Sequence, residues 1–344
     1  MRIALCSSSV PFVKGGYRNI VDWLAASLRE AGHTVEVLYL PENDDVDLLF
    51  SQMAAFRAID LSMADVAICF RPQSYYIRHP RKVVWFIHHI RALYDLWGTD
   101  HAGMEPNARM LGYRDAIRQA DTAALGEAEK LFANSEVTAG RLREFNGLES
   151  RVLYPPVYRP ERFRFIEQND EIVCICRIEN HKRQHLLIEG LAHTESAVRL
   201  RLCGRSMDDD YVHRLHRMVA ERDLGERVTI DHRWIAEEEK EDILSRCLAA
   251  AYVPLDEDSY GYPTLEAGHS AKPILTVTDA GGVLEFVQHG LSGLVASPEP
   301  AEVGAAMDRL FNARRESRRM GEGASQRIGE LRISWSSTIV ALLA

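Results

Sequence analysis

The segment DEDSYGYPTLEAGHSAKPILTVTDAGGVLEF, from Asp256 to Phe286, concentrates the residue types that can do chemistry. Carboxylates stand at Glu257 and Asp258, a glycine turn at Gly261 leads through Tyr262 and Thr264, and a further acid, Glu266, opens an apolar helical stretch. Lys272 and Pro273 then begin a strand, and Gly281-Gly282 turns the chain into another helix at Val283 that carries Glu285. Carboxylates accept hydrogen bonds from hydroxyl groups, and open N–H groups at helix starts attract phosphate. Two strand–turn–helix units in succession put these groups at the carboxyl ends of strands, where open α/β sheets bind ligands. A ligand that carries both hydroxyls and phosphates is a nucleotide sugar.

Other residues fit the same chemistry. Arg177 and Lys182, in CRIENHKRQHLLIEGLA, follow an apolar strand and precede a helix. Two cations beside helix N–H groups can clamp a diphosphate, although charged residues on a loop are common in any protein. Gly15 and Gly16, in VPFVKGGYRNIV, form the first strand-to-helix turn. The spacing is neither a dinucleotide fingerprint nor a P-loop, so it reads as a tight turn that lets backbone approach an anion. His88 ends the run KVVWFI with His89 beside it, and the choice between them is open. A carboxylate at Glu266, on a helix expected to be buried, needs a partner; a ribose diol would supply two donors. Pro263 has no N–H, which leaves Gly261, Tyr262 and Thr264 as backbone donors there. Arg205 and Trp234 also follow strands, and Asn134-Ser135 reads first as a helix cap.

The elements that must hold these residues alternate strand and helix along the chain, which predicts an α/β protein with parallel sheets. RIALC, TVEVLYL, VAICF, KVVWFIH, LFANS and RVLY read as strands of a first half; EIVCIC, VRLRLCG, RVTI and AAAYVP read as strands of a second. Amphipathic helices separate them, the first with Ile20, Val21, Leu24 and Leu28 on one face and a stop at Gly32. The 256–286 segment is expected to complete the second sheet. PPVYRPERFRF, with Pro155, Pro156 and Pro160, breaks regular structure and divides the chain into domains at 1–157 and 158–330.

The chain has 344 residues, enough for two cores, and is 46% hydrophobic and 26% charged, an ordinary soluble composition. A net charge of −9 argues against nucleic acid as a partner. No stretch is apolar enough for a membrane span, and MRIALCSSSVPF reads as a first strand rather than a signal peptide. The expected location is cytoplasmic. Cys6, Cys69, Cys174, Cys176, Cys203 and Cys247 lie in apolar runs without a Cys-x-x-Cys pair, so they read as reduced core cysteines, and no metal site is assigned.

The Asp256–Phe286 segment resembles the C-terminal signature of the retaining, nucleotide-sugar-dependent glycosyltransferases of family four (glycosyl transferases group 1). Those enzymes have two glutamates around a Gly-aromatic turn, followed by Gly-Gly-x-x-Glu. Glu266 matches the second glutamate and Gly281, Gly282 and Glu285 the later turn, while Asp258 stands where the first glutamate belongs. An inserted Ser259 would instead give that role to Glu257. The resemblance implies a GT-B fold: two facing Rossmann-like domains with a cleft between them, an acceptor-side domain first, a nucleotide-sugar domain second, and the final helix, about 331–344, returning to the first.

It further implies a retaining transfer of a hexose from a nucleoside-diphosphate sugar to a glycan or lipid-linked glycan acceptor. No cofactor or metal is expected, and polysaccharide synthesis at the cell envelope is the expected setting. Arg177, Lys182 and the Gly15-Gly16 loop would stabilise the diphosphate, Glu266 would hold the ribose, Asp258 or Glu257 would orient the sugar, and His88 would touch it. A stretch without acids between Asp65 and Asp95 interleaves Arg71, Arg78, Arg81, Lys82 and Arg91 with Phe70, Tyr75, Tyr76, Trp85 and Phe86. The resemblance offers that stretch as a peripheral contact with the inner face of a membrane; core and loop residues are the plainer reading. Loss of the first glutamate also admits a non-catalytic nucleotide-sugar-binding subunit of the same fold.

Overall fold

The computed structural model describes residues 1–12, 16–42, 45–99 and 107–344. Its strands and helices run in chain order β1 (Arg2–Ser9), α1 (Gly16–Glu30), β2 (Thr34–Pro41), α2 (Leu49–Arg57), β3 (Val66–Cys69), β4 (Lys82–Phe86), α3 (Ala108–Gly126), β5 (Lys130–Ala133), α4 (Glu136–Asn146) and β6 (Arg151–Val152). The chain continues with β7 (Glu171–Ile175), α5 (Gln184–Ala192), β8 (Arg199–Cys203), α6 (Asp209–Glu221), β9 (Val228–Asp231), α7 (Glu237–Arg246), β10 (Ala249–Ala251), α8 (Tyr262–His269) and β11 (Ile274–Val277). It ends with α9 (Val283–Phe286), β12 (Gly293–Ala296), α10 (Pro300–Asn312), α11 (Arg314–Glu330) and α12 (Trp335–Leu343). Two compact units result: Met1–Pro156 together with Ile333–Ala344, and Val157–Arg332.

Each unit is a six-stranded parallel sheet, in the orders β2-β1-β3-β4-β5-β6 and β12-β11-β10-β7-β8-β9. Parallel strands need crossover helices, so their residues are covered on both faces. The strand sequences answer that need: β3, β4 and β11 are buried along their whole length. In the first unit α1 buries Ile20, Val21, Leu24 and Leu28, and Gly32, at φ +85°, turns the chain into β2. In both sheets the strand order reverses at one point, between β1 and β3 in the first and between β7 and β10 in the second. Loops leaving strands on either side of such a point diverge and leave a crevice at the carboxyl edge.

One expectation is corrected here. The second sheet does not finish with the 256–286 segment, because β12 adds a further edge strand and α10 and α11 follow it. GLVA is short and flanked by turn-forming residues, so periodicity alone does not mark it as a strand. The basic-aromatic stretch follows its plainer reading as core and loop residues: Phe70, Tyr75, Tyr76, Trp85 and Phe86 are all buried, Arg71 is buried in an ion pair with Glu42, and Arg78 is exposed. Lys82 is buried as well, its amine donating to the carbonyls of Tyr75 and Ala124 and pairing with Glu127 at 3.0 Å. Among the described residues no helix is long and apolar enough to cross a membrane.

Beneath this stretch Asp121 of α3 is buried and accepts hydrogen bonds from the hydroxyls of Tyr76 and Tyr94, each at 2.7 Å. Burial outweighs those bonds and pushes its carboxyl from 3.8 up to about 6. The folded state therefore holds this proton more tightly than the unfolded chain does. The stability so gained is present below about pH 4 and is lost as pH rises through 6, up to roughly 3 kcal/mol. Asp121→Asn has no proton to lose. Urea titrations from pH 4 to 7 should show its stability falling less than that of the wild type, and parallel profiles would mean that Asp121 ionises as an exposed carboxylate does.

Candidate functional site

β7, β10 and β11 are neighbours, so the loops leaving their carboxyl ends meet, and the second unit's candidate residues lie on those loops. After β7 the chain makes a short 3-10 turn, Asn180–Lys182, before α5. Lys182 is buried there. Its amine donates to the Tyr252 hydroxyl at 2.8 Å and forms an ion pair with Glu257, while the same hydroxyl donates to Glu257 Oε2 at 2.9 Å. Burial works to raise the Glu257 carboxyl, but Lys182 and Tyr252 together hold it below the usual range. Lys182 also lies 5.2 Å from the centre of the Tyr252 ring, near enough for a cation–π contact. The result is a closed triad of cation, phenol and carboxylate at the point where strand order reverses.

Two glycines shape this corner. Gly281, at φ +63°, pairs with Glu257 in an isolated parallel bridge, and a Cβ there would stand 2.5 Å from the Glu257 carbonyl oxygen. Gly261, at φ +71°, lets Tyr252 close in; a Cβ would meet its ring at 2.5 Å. Gly282 adds an N–H···O bond to the Glu257 carbonyl at 2.8 Å. Glu257, and not Asp258, is thus the acid that reaches Lys182; Asp258 is half-buried on the same loop.

Arg183, next in the chain at φ +54°, completes the arrangement. Its guanidinium donates to the Val253 carbonyl at 2.9 Å and the Pro254 carbonyl at 2.6 Å, and grips Asp279 with bonds of 2.8 and 2.6 Å. One side chain ties together the loops after β7, β10 and β11. Its fork geometry allows this, and the single ammonium of a lysine does not. Arg177 is exposed and pairs with Glu179 at 2.5 Å.

Glu266 stands in the middle of α8, buried, apart from this triad. The partner that its buried carboxylate needs is present in the protein: Lys240 of α7 donates to Oε1 at 2.6 Å and also pairs with Glu237 at 2.9 Å. Burial opposes the charge on Lys240, yet the two glutamates hold its pKa above the ordinary value, whereas burial raises that of Glu266. Thr264 is corrected as a backbone donor. It is fully buried, and its N–H bonds the Gly261 carbonyl within the first turn of α8. Tyr262 is the first residue of that helix. Glu285 lies in α9, where its carbonyl accepts from Arg327 at 3.0 Å.

In the first unit Gly16 opens α1, and Gly15 lies outside the described residues. The structure separates the two histidines beyond β4. His89 is buried, stacked on Tyr94 at 4.1 Å and bonded through Nε2 to Asn146 Oδ1 at 2.8 Å, which makes it a core residue. His88 is half-buried, with Nδ1 2.6 Å from the His89 carbonyl. That carbonyl only accepts, so Nδ1 carries the proton and Nε2 is left as an acceptor. Burial, with the nearby Arg71 charge, lowers its pKa to about 3 and keeps the ring neutral. Across the point of strand reversal, Glu42 accepts from Ser8 Oγ at 3.0 Å and from Arg71 Nη2 at 3.1 Å.

Sequence reasoning missed Tyr252, Arg183 and Lys240. An aromatic with a polar tip just past a strand signals the first, whereas Lys240 lies 26 positions from its partner in a run of glutamates and carries no such mark. Among the described residues no group of three or more His, Cys, Asp or Glu side chains is arranged to hold a metal ion.

Residues 160–327 match the family model described as Glycosyl transferases group 1. The Alpha-1,3/1,6-mannosyltransferase ALG2 of Mus musculus is 27% identical over 248 residues, 63% of this chain and 58% of that protein. Its counterpart in Homo sapiens is 25% identical over the same shares; the chain thus spans under two thirds of the length of these relatives. Among solved structures, the sucrose-phosphate synthase of Thermosynechococcus elongatus superposes with a TM-score of 0.79 at 16% identity, over 98% of this chain and 97% of that one. Anabaena HepE in complex with UDP and glucose gives 0.71 at 16% identity, over 98% of each chain. The family match falls within the second unit, and the two Rossmann-like sheets are of GT-B type.

Lys240→Met strands a buried glutamate without its cation, and a cost of about 3–5 kcal/mol is expected. Lys240→Met with Glu266→Gln should recover most of it in a urea-denaturation cycle. A double variant no more stable than the single would show that the ion pair is not what the lysine supports.

Proposed function

We propose that the protein is a retaining glycosyltransferase that moves a hexose from a nucleoside-diphosphate sugar to a glycan or lipid-linked glycan hydroxyl without a bound metal ion. The observation that carries this reading is the Lys182–Tyr252–Glu257 triad, beside Arg177, at the strand-reversal point of the matched domain. The names of the ALG2 relatives, both mannosyltransferases, and the UDP bound to the HepE neighbour support it.

In this reading the second unit binds the donor. Lys182 and Arg177 stabilise charge developing on the departing diphosphate. Lys182 already sits in an ion pair, so the diphosphate must compete with Glu257 for the amine, and the freed carboxylate can then accept from a sugar hydroxyl. Asp258, on the same loop, is the second acid for that task. Glu266, held by Lys240, accepts from the ribose diol, and the N–H groups of Gly261 and Tyr262 serve phosphate or sugar oxygens. Gly281 and Gly282 shape the turn, and Glu285 lies just beyond them. The first unit receives the acceptor; its Gly16 turn can approach an anion, and its neutral His88 can accept from a hydroxyl. With the leaving diphosphate positioned to take the acceptor proton, no protein nucleophile is needed. Cell-envelope or exopolysaccharide synthesis on the cytoplasmic side, with peripheral membrane contact, is the setting this chemistry suits.

A thermal-shift panel of UDP, GDP, ADP, dTDP and CDP, each with and without EDTA, tests the donor site. One nucleotide should raise Tm in EDTA, since a ligand at 100 times its Kd adds about 2.7 kcal/mol. Arg177→Ala and Lys182→Ala should each weaken that nucleotide about 10- to 100-fold, the worth of a charged hydrogen bond. NMR of the product should show the donor's anomeric configuration retained. No shift with any nucleotide, or inversion in the product, would overturn the reading.

A further inference from the structure

Two thiols adjoin the Lys182 triad and take no part in the proposed chemistry. Cys174 and Cys176 are two residues apart at the end of β7, so they project to the same face of the strand. Their sulfurs are 3.7 Å apart. Cys174 is buried, whereas Cys176, one residue past the strand, is half-buried. Cys6, Cys69, Cys203 and Cys247 are all buried. Gln184 Nε2 lies 3.3 Å from Cys176 Sγ and donates to the Arg177 carbonyl at 2.9 Å, so one amide spans the thiol and the start of the cation loop. A hydrogen bond from the Cys174 thiol, aided by the Lys182 charge, lowers the pKa of Cys176 against the effect of burial, while that of Cys174 is raised. Cys176, nearer the surface and the more readily deprotonated of the two, is therefore the thiol that reacts first, and Cys174, 3.7 Å away, the one that can follow it.

We propose that Cys174 and Cys176 form a modification site for small disulfides, closing to an intrachain disulfide that displaces the Arg177–Arg183 loop. The Cys176 thiolate attacks a disulfide RSSR, forming Cys176–S–SR and releasing RS⁻. The Cys174 thiol then loses its proton to solvent and attacks the Cys176 sulfur, releasing the second RS⁻. In sum two protein thiols are oxidised to one disulfide and RSSR is reduced to two RSH.

Closure must move the backbone. Same-face Cβ atoms two residues apart on an extended strand are separated by about 6.6 Å, well beyond the roughly 3.5–4.5 Å that a disulfide requires. The strand end has to contract, and it is held by the bond from Cys176 N–H to the Cys203 carbonyl at 3.0 Å. Gly204 leaves no slack on that side, since a Cβ there would stand 1.9 Å from the Cys176 carbonyl oxygen. Contraction therefore passes forward to Arg177 and the Lys182 turn. The effect on nucleotide binding rests on the function proposed above; the thiol chemistry and the loop displacement do not.

The test exposes the folded protein to oxidised glutathione and follows the peptide holding residues 174–176 by mass. Loss of two hydrogens is expected, reversed by dithiothreitol. Cys174→Ser should instead stop at the glutathione adduct on Cys176, and Cys176→Ala should acquire neither. Hydrogen exchange across 177–184 should be at least several-fold faster in the oxidised protein, and the stabilising nucleotide should bind at least 10-fold more weakly. If the pair stays reduced until the protein unfolds, or the disulfide forms with exchange across 177–184 unchanged, the proposal is overturned. If the reduced protein binds no nucleotide yet oxidises with faster exchange, the dithiol site stands and the donor-site reading falls.

Discussion

Keeping Lys182 charged in a corner nearly free of water is the constraint on which the second unit's ligand edge depends. A buried ammonium costs several kcal/mol unless it is paired and hydrogen-bonded. Tyr252 and Glu257 meet that cost, and meeting it dictates the rest. Glu257 must come in close, so the turn opposite must lack a side chain at Gly281. Tyr252 must stand upright, so Gly261 must leave room for its ring. The loops must not drift, and Arg183 holds all three.

Lysine serves two purposes in this molecule, and whether main-chain carbonyls hold the amine distinguishes them, although Lys82 also pairs with Glu127. Lys82 and Lys272 both donate to main-chain carbonyls, Lys82 to Tyr75 and Ala124, Lys272 to Cys247 and Glu167. Burial lowers the pKa of each, that of Lys272 to about 8. Those amines staple segments together, and a main-chain carbonyl cannot swing away. Lys182 and Lys240 instead meet carboxylates at the carboxyl edge of the sheet. A carboxylate on a side chain can rotate off and leave the cation to an incoming anion. Pairing of that kind stores a binding site without exposing a bare buried charge.

Much of this was legible from residue order. The α/β class followed from alternating apolar runs and amphipathic helices, and strands such as β2 and β8 fall within a residue of where the runs stop. Arg177, Lys182 and the acidic–glycine segment stood out because they follow strands. The failures share a cause. Thr264 read as an open donor because a sequence shows that an N–H exists but not whether its own helix has used it. In the stretch after Asp65 the sequence did not show what would pair with Arg71 and Lys82, because Glu42, Glu127 and the main-chain carbonyls that receive those cations lie elsewhere in the chain. Lys240 and Arg183 looked like ordinary loop and helix charges.

Sequence by itself determined the periodicities, the turns and the residue types at strand ends, since these depend on neighbours within a few positions. It left open which acid, Glu257 or Asp258, approaches Lys182, and which of His88 and His89 faces outward. Only the tertiary structure decided these. Side chains on adjacent residues of a loop point apart, and strand order, which brings positions 182, 252 and 257 together, is set by packing between segments distant in the chain.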